Sequence, residues 1–348
     1  MYFNWQNQQR PILGLSPMAD MTDTPFCKII RKTVLQSVSD SRLIVFREMV
    51  SSEAIVRGNE KTMIMTGIDP IERPIVQQIF GANPETMGKS SRIIMEATAT
   101  TPHPSLEKEG GLIKRLAPNA IDINMGCPVY KMINNFNGAA LMKDPGLAAK
   151  IVQSVKSAVN VPVSVKIRAG WSSHEECIEF AKVIENAGAD MITVHGRTQK
   201  QAYSGVANRK VVAQVKANSS IPILYNGDIF TWQNYFQALD DTKCDGALIA
   251  RGALGNPWIF AQIEQHLADI EVTYPTLEEK IKTVIEHLET HLEHYGESSI
   301  STFRKHLGWY FKGVDGFKQY KQAIMTATEK EVIIKALNEF LSKQTNAS

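Results

Sequence analysis

Short apolar runs alternate with longer amphipathic stretches through most of the chain. Turn-forming residues flank each apolar run, which is typical of buried strands. We predict strands at Pro11–Ser16, Leu43–Arg47, Ile75–Phe80, Ala120–Asn124, Val163–Arg168, Met191–His195, Ile221–Asn226 and Ala247–Ala250. The stretches between and after them predict helices at Pro25–Val38, Pro84–Ala97, Leu141–Ala158, His174–Ala187, Asn208–Ala217, Thr231–Leu239 and Leu254–Leu267, with a short, weak one at Ser51–Gly58.

Strands that are each followed by a helix, repeated in this number, indicate a (β/α)8 TIM barrel. Near-continuous apolar strands fit a parallel sheet that is covered on both faces. A doubly wound open sheet is the main alternative, but no G-x-G-x-x-G follows the first predicted strand. We therefore predict an α/β protein built on a TIM barrel.

The pattern changes after Leu267. It breaks around Ile270–Pro275, and only helical patterns follow, at Leu277–Tyr295, Ser301–Phe311, Phe317–Thr326 and Glu329–Lys343. We predict a catalytic barrel domain over residues 1–268 and an all-helical domain over residues 276–348.

Composition narrows the possible functions. The 348 residues carry a net charge of only +2, so a nucleic-acid partner would have to be bound by a local basic patch. The cysteines stand far apart with no C-x-x-C pair, which argues against a disulfide framework or a zinc site and fits a reducing compartment. The N-terminal MYFNWQNQQR lacks the apolar core of a signal peptide, and no apolar run reaches about 18 residues. We therefore expect a cytoplasmic protein with no membrane partner.

We predict no metal site. His287, His291 and His294 recur at helical spacing, which is the spacing of some metal ligands. Glutamates are interleaved with them, however, and this pattern favours a solvated helix face.

Polar residues gather at the C-terminal ends of the predicted strands. In a TIM barrel these ends meet at one rim, where the active sites of the fold lie. The residues at or just after the strand ends include Pro17, Met18, Arg47, Glu48, Gln77, Gln78, Asn124, Cys127, Lys166, Arg168, His195, Arg197, Asn226, Asp228 and Arg251. Scattered surface polarity would not single out strand ends, so we predict one pocket at this rim.

The stretch Ala120–Asp144 carries a candidate reactive group. Its apolar strand stops at Asn124, and Gly126 and Pro128 then prevent a strand or a helix from continuing. Cys127 is therefore presented by a turn, although most free cysteines are small buried hydrophobes. Because an unperturbed thiol has a pKa of about 8.5, it can donate a proton at neutral pH. We interpret Cys127 as a nucleophile or a general acid.

Two cations end the fifth predicted strand. Lys166 could form a Schiff base, place positive charge beside an anionic cofactor, or make a structural ion pair. Arg168 lies two residues further on and so points to the same side of the strand. Two cations together favour an anion in the pocket over a Schiff base.

The turns after the seventh and eighth predicted strands supply the parts of a phosphate site. Barrels of this kind commonly bind phosphate there through glycine-rich turns, and Gly227, Arg251 and Gly252 fit that use. A phosphorylated ring compound such as FMN matches this arrangement. Gln78 and Asn124 are then available for hydrogen bonds to the edge of the ring.

The segment Phe303–Lys321 mixes cations with aromatic residues. Its cations are Arg304, Lys305, Lys312, Lys318 and Lys321, and its aromatic residues are Phe303, Trp309, Tyr310, Phe311, Phe317 and Tyr320. Cations contact phosphates and aromatic rings stack on unpaired bases, so the mixture suits RNA. The same pattern also fits a small helical core with cations on its outside.

These residues together resemble the tRNA-dihydrouridine synthase family, most closely its bacterial B type. The resemblance covers roughly Leu13 to Lys312, and N-M-G-C-P together with V-H-G-R-T is its most specific part. Its motifs stand at Ser16–Asp23 (SPMADMTD), Gln78–Gly81 (QIFG), Asn124–Pro128 (NMGCP) with Lys131, Gly138–Met142 (GAALM), Val165–Arg168 (VKIR), Val194–Thr198 (VHGRT), Asn226–Ile229 (NGDI), Arg251–Ala253 (RGA) and Arg304–Tyr310 (RKHLGWY).

The resemblance implies an FMN-bound TIM barrel that reduces the C5=C6 bond of specific uridines in tRNA, with NADPH as the electron source. It implies hydride transfer from the flavin to C6 and protonation of C5 by Cys127. The residues implied to hold FMN are Pro17, Met18, Ala19, Gln78, Lys166, His195, Asn226, Gly227, Asp228, Ala250 and Arg251. The residues expected to contact tRNA are Asn124, Lys131, Arg168, Arg304, Lys305 and Lys312.

No protein partner is implied. The alternative is an FMN oxidoreductase of the same fold that acts on a free dihydropyrimidine. Such an enzyme has no need of the C-terminal helices.

Overall fold

The computed structural model describes residues 3–96, 100–102, 112–114 and 116–345. Met1, Ala97 and Ser348, which end predicted ranges, lie outside the described residues. As far as they are described, Met1–Asp23, Arg42–Thr101 and Ile113–Arg251 form a first compact unit, and Thr24–Ser41, Pro102–Leu112 and Gly252–Ser348 form a second. The domain ranges 1–268 and 276–348 remain a prediction.

Strands and helices are interspersed along the described chain as far as Leu267. The strands are β1 (Ile12–Leu15), β2 (Leu43–Ser51), β3 (Ile75–Phe80), β4 (Thr100–Pro102), β5 (Leu112–Lys114), β6 (Ala120–Met125), β7 (Val163–Gly170), β8 (Met191–Thr198), β9 (Ile223–Asn226) and β10 (Gly246–Ile249). The helices are α1 (Thr24–Ser37), α2 (Ser52–Val56), α3 (Glu60–Ile64), α4 (Pro84–Met95), α5 (Tyr130–Ile133), α6 (Pro145–Ala158), α7 (Glu176–Asn186), α8 (Arg209–Ala217), α9 (Trp232–Thr242), α10 (Trp258–Leu267), α11 (Leu277–Tyr295), α12 (Ile300–Tyr310), α13 (Lys318–Thr326) and α14 (Lys330–Thr345). Short 3₁₀ helices lie at Pro70–Glu72, Gly138–Lys143, Arg251–Ala253 and Glu297–Ser299.

The predicted strands close into a parallel barrel. Their order around it is β1-β2-β3-β6-β7-β8-β9-β10, and β10 pairs with β1 to complete the ring. β4 and β5 pair only with each other, in a separate two-stranded sheet. This order confirms the predicted TIM barrel, in which consecutive parallel strands are neighbours.

Apolar side chains fill the barrel near the N-terminal ends of its strands. Trp5 is fully buried there and stacks on Phe46, with ring centroids 5.8 Å apart. The packing is so close that a β-carbon added at Gly14 would lie 2.3 Å from the Leu248 side chain. This end is therefore a packed core, and it leaves the C-terminal ends of the strands as the place for a site.

One helix prediction in this unit needs correction, and one short helix was not predicted. The helix expected from Leu141 starts only at Pro145, after the 3₁₀ helix Gly138–Lys143. Asp144 caps it by accepting a hydrogen bond from the Leu147 N–H, and Pro145 suits the first helical position. The short helix α3 was not predicted, because none of its residues is buried and it has no apolar face to recognise.

The second unit has a core of its own. Its buried apolar residues are Ile281, Val284, Leu288, Leu292, Ile300, Phe303, Leu307, Tyr310, Phe311, Phe317, Tyr320, Ile324, Ala327, Ile333, Ala336, Leu337 and Phe340. At the start of α11, Thr276 and Glu279 form a capping box that satisfies the first backbone N–H groups.

The expectation of a solvated histidine face on α11 is wrong for two of its three residues. His287 and His291 are 0% and 1% exposed, on the same side of the helix as Leu288 and Leu292. A ring nitrogen of His287 pairs with the Tyr310 hydroxyl at 3.1 Å. Burial holds the pKa of both histidines below the ordinary value, so they are neutral core residues.

Candidate active site

A chain of hydrogen bonds runs along the rim from β3 to the Cys127 turn. The Gln78 Nε2 group donates to Asp122 at 2.6 Å, and its Oε1 atom accepts from Asn124 Nδ2 at 2.8 Å. The Asn124 Oδ1 atom then accepts from the backbone N–H groups of Gly126 and Cys127, at 3.2 and 2.9 Å. The predicted residue Asn124 is therefore bound directly to the Cys127 turn, and Gln78 is joined to the turn through Asn124.

Cys127 is held as a partly buried thiol. Burial raises its pKa above the ordinary value, although the Val129 N–H and the charges of Arg168 and Lys166 act in the opposite direction. The thiol is therefore protonated at neutral pH. The turn is tight: Gly138 has φ +60°, and a β-carbon there would lie 2.7 Å from the Cys127 carbonyl oxygen. Glycine is required at that position.

Lys166 lies beside Asn124 on the neighbouring strand, β7. Its ammonium group donates to Asn226 Oδ1 at 3.0 Å, and Asn226 in turn donates to the Leu248 carbonyl. Burial, followed by the charge of Arg168, lowers the pKa of Lys166 to about 8. This combination holds a partly exposed cation at the rim, and its place beside an anion stays a prediction.

Arg168 is only 3% exposed. Its guanidinium group donates to the carbonyls of Gly126, Thr198 and Ala202 at 2.7, 3.0 and 3.0 Å. Arg168 thus ties the turn before Cys127 to the end of β8. The contact with substrate that we expected of Arg168 stays a prediction.

The Asp228 carboxylate, just after β9, binds two arginine side chains. Arg197 binds both of its carboxylate oxygens at 2.8 Å, and Arg251 binds one at 3.2 Å. The Ala207 N–H donates to the same group. Partial burial acts to raise the pKa of Asp228, but these bonds hold it below the ordinary value. The neighbouring Gly227 has φ +141°, and a β-carbon there would lie 2.6 Å from Ala207.

His195 is 8% exposed and stays neutral. Burial lowers its pKa well below the ordinary value, and four cations add to the effect. These cations are Lys166, Arg168, Arg197 and Arg251. Their common effect on one histidine shows that they share one electropositive region.

The remaining predicted residues of the barrel lie at its rim. Pro17 and Met18 are partly exposed and Ala19 is exposed, in the turn after β1. A hydrogen bond of 2.9 Å from the Met18 N–H to the Thr22 hydroxyl shapes this turn. Ala250 is partly exposed, and Lys131 is exposed in α5.

Arg304, Lys305 and Lys312 belong to the second unit. Lys312 is exposed and lies over the Trp309 ring at 5.1 Å. Arg304 is partly buried and donates to the Ala327 carbonyl at 2.8 Å, so it also supports the fold. Five of the six aromatic residues of the segment are buried core residues, and only Trp309 is partly exposed. The aromatic pattern was therefore mainly a core pattern.

The sequence did not indicate Asp122 as a site residue, and it placed Arg197 at the rim without a role. Asp122 looked like part of an apolar strand, yet an acid between two isoleucines inside a barrel is itself a signal. Arg197 near the end of β8 and Asp228 just after β9 carry opposite charges on adjacent strands, which could have indicated their pairing. Tyr203 is 60% exposed and packs 4.9 Å from the Arg251 guanidinium, and no sequence signal indicated it.

Across the described residues, every helix is too short or too polar to cross a membrane.

Known proteins resemble this chain over nearly all of its length. The model of the dihydrouridine synthase (Dus) family matches residues 14–101 and 112–346. A probable tRNA-dihydrouridine synthase of Rickettsia bellii (strain RML369-C) is 31% identical over 337 residues, covering 95% of this chain and 95% of that protein. The tRNA-dihydrouridine synthase B of Pasteurella multocida (strain Pm70) is 33% identical, covering 94% and 92%. A probable tRNA-dihydrouridine synthase 1 of Synechocystis sp. (strain ATCC 27184 / PCC 6803 / Kazusa) is 35% identical, covering 86% and 78%. The chain belongs to the dihydrouridine synthase family.

Proposed function

We propose that this protein is a flavin-dependent tRNA-dihydrouridine synthase that reduces the C5=C6 bond of uridine in tRNA. Dihydrouridine is uridine with that bond reduced, so membership of the family makes the chain an oxidoreductase. The observation that best supports this reaction is the Cys127 thiol, which is protonated and partly buried. Asn124 fixes the turn of this thiol at the barrel rim, and Lys166 lies beside Asn124 on the next strand. A tRNA substrate agrees with the expected cytoplasmic location.

The residues at the rim fit FMN. The region around His195 has four cations against one carboxylate, that of Asp228, which suits a phosphate and a ring that gains negative charge on reduction. Gly227 lets the backbone come close to a ligand, because no side chain fits there. The residues proposed to hold FMN are Pro17, Met18, Ala19, Gln78, Lys166, His195, Asn226, Gly227, Asp228, Ala250 and Arg251. When bound, FMN would supply hydride equivalents taken from NADPH.

The chain itself supplies the proton and the orientation. Cys127 gives its thiol proton to C5 of the uracil, and its raised pKa keeps that proton in place at neutral pH. Asn124 and Arg168 fix the turn that carries the thiol. A uridine inside a folded RNA must leave its stack to reach such a group.

We infer that tRNA contacts Asn124, Lys131 and Arg168 in the first unit and Arg304, Lys305 and Lys312 in the second. Among these, Lys131 and Lys312 are exposed cations, as phosphate contacts require. Lys318 and Lys321 are also exposed and, with Lys312, line one cleft of the second unit. This cleft extends the proposed patch.

The visible spectrum of the purified protein tests the proposal. Oxidised-flavin bands that NADPH bleaches and unmodified tRNA restores under anaerobic conditions are the expected result. Bleaching that tRNA does not reverse would favour the enzyme of free dihydropyrimidines. A protein that takes up no flavin, even with FMN added, would overturn the redox proposal.

Charge reversal tests the patch. Lys312→Glu together with Lys318→Glu should weaken tRNA binding and lower the salt dependence of log K by about one unit per lost phosphate contact. Lys335→Glu, an exposed lysine of α14 outside this cleft, is the matched control and should change binding less. Equal binding by both variants, measured by filter binding over a salt series, would contradict the patch. Arg304 is left intact because it supports the fold through Ala327.

A further inference from the structure

Asp122 is a buried carboxylate in the middle of β6. It is 0% exposed, between two isoleucines that are also fully buried. Its Oδ1 atom accepts from the Ser164 hydroxyl, and its Oδ2 atom accepts from Gln78, each at 2.6 Å. A buried carboxylate costs free energy, and an apolar residue at this position would avoid that cost. The position therefore calls for an explanation beyond packing.

The hydrogen bonds that start at Asp122 have a fixed direction. An ionised carboxylate can only accept, so the amide of Gln78 must turn its Nε2 group toward Asp122. Its Oε1 atom then faces Asn124, which must present Nδ2 to it. The Oδ1 atom of Asn124 is thereby left for the N–H groups of Gly126 and Cys127.

We propose that Asp122 is a positioning residue that orients the amides of Gln78 and Asn124 and so fixes the turn presenting the Cys127 thiol. The amide of a glutamine or an asparagine can be flipped at little cost when its surroundings do not distinguish oxygen from nitrogen. Asp122 makes that distinction at the start of the chain of hydrogen bonds. This role rests on the proposed function only in its last step, where the presented thiol donates its proton.

The surroundings keep Asp122 able to act in this way at neutral pH. Burial raises its pKa to about 6, while Ser164, Gln78 and the charge of Lys166 act to lower it. The carboxylate is thus ionised under the conditions in which a cytoplasmic enzyme works. Lys166, on the adjacent strand, is the charged group that faces it.

Three variants of the full-length protein and one double variant separate orientation from packing. Asp122→Ala removes the acceptor, and Asp122→Asn keeps the shape but leaves the direction to the backbone N–H groups of Gly126 and Cys127 alone. Ser164→Ala is the matched control, because it removes the other hydrogen bond of the same carboxylate and leaves the one to Gln78. The double variant Asp122→Asn/Gln78→Glu moves the carboxylate one position along the hydrogen-bond chain. The carboxylate introduced at position 78 can only accept, so Asn124 is again forced into its native orientation.

The measurement is the rate of Cys127 alkylation by iodoacetamide, followed by peptide mass, with and without bound flavin. Loss of the hydrogen bond to the Cys127 N–H should free the turn and raise the rate about fivefold in Asp122→Ala, with a smaller rise in Asp122→Asn. Ser164→Ala should stay near the wild-type rate, and the double variant should return toward it. Hydrogen exchange of the Gly126–Cys127 peptide should follow the same order.

Two results would overturn the proposal. One is a wild-type alkylation rate in both single Asp122 variants. The other is an equal rise in Ser164→Ala, which would indicate general loosening of the core. If Asp122→Ala does not fold, Asp122→Asn and its double variant still decide the matter. Alkylation does not involve uridine, so it tests the role of Asp122 independently of the proposed reaction. The proposed role of Cys127 in that reaction would fail in a different experiment, if Cys127→Ala protein still reduced uridine in tRNA.

Discussion

On the β3–β6 side of the rim, amides and one carboxylate are joined end to end by hydrogen bonds. This amide side comprises Asp122, Gln78, Asn124 and the Cys127 turn. From β7 onward the polar groups are cations gathered around one acid. This cationic side comprises Lys166, Arg168, Arg197, Arg251 and Asp228.

The two sides differ in what their interactions can control. Hydrogen bonds between amides have a donor and an acceptor end, so the amide side can fix the orientation of a proton donor. Charges act over distance, so the cationic side can attract an anion and, together with burial, keep His195 neutral. The orientation of the bound ligand then depends on its shape. In the proposed reaction, proton delivery and anion binding then fall to different strands of one barrel.

We expect the largest effect on the reaction from removing the Cys127 thiol, at the end of the amide side. Cys127→Ala should lower the rate of uridine reduction about 10²- to 10⁴-fold, because general acid catalysis contributes that much. NADPH oxidation in the absence of tRNA should be unchanged, since the cationic side is intact. Single-turnover oxidation of the reduced enzyme by tRNA, followed at the flavin band, measures the first quantity.

Cys177→Ala is the matched control for that experiment. It removes another thiol of the same unit whose pKa is raised by burial, on α7 and away from Cys127. It should reduce uridine at the wild-type rate. Wild-type turnover by Cys127→Ala would remove Cys127 from the reaction.

The next effect comes from breaking the cationic side. Asp228→Asn removes the ionised partner of Arg197 and should lower the free energy of unfolding by roughly 2 kcal/mol, the scale of a hydrogen bond to a charged group, because Asp228 is only partly buried. FMN binding should weaken as the turn loosens. Denaturant unfolding and flavin titration measure both.

Glu179→Gln is the control: it breaks the exposed pair with Lys182 and should lower the free energy of unfolding by less than about 1 kcal/mol. Equal losses in the two variants would show that the Asp228 cluster does not stabilise the fold.

The smallest expected effect is a pH dependence of stability that comes from Lys166 on the cationic side. The pKa of Lys166 falls from 10.5 to about 8 on folding, so the unfolded chain binds more protons between these values and stability rises with pH there. Between about pH 7 and about pH 9, Lys166 should add roughly 1 kcal/mol to the unfolding free energy of the flavin-free protein. Lys166→Met should lack this increment. Urea unfolding of both proteins at the two pH values gives the difference, and the same gain in both would place the titration elsewhere.

Several site features could be predicted from the sequence because they are local. Gly126 and Pro128 stop β6, which puts Cys127 on a turn, and the strand ends indicated the polar rim. The direction of the hydrogen bonds from Asp122 could not be predicted, because it depends on Gln78 and Ser164, which come from other strands. The buried state of His287 and His291 was likewise missed, because their partners Tyr310 and Thr302 lie on a different helix.

The sequence by itself determined the alternation of strands and helices, the barrel, the helical pattern after it and the turn that carries Cys127. These follow from periodicity and from residues that permit or forbid a backbone conformation, and both act over a few positions along the chain. Only the tertiary structure decided that Arg168 binds three carbonyls, that Asp228 gathers two arginines, and that the aromatic residues of Phe303–Lys321 are mostly core. Each of these depends on which distant groups share a small volume, because hydrogen bonds, burial and charge effects act through space rather than along the sequence.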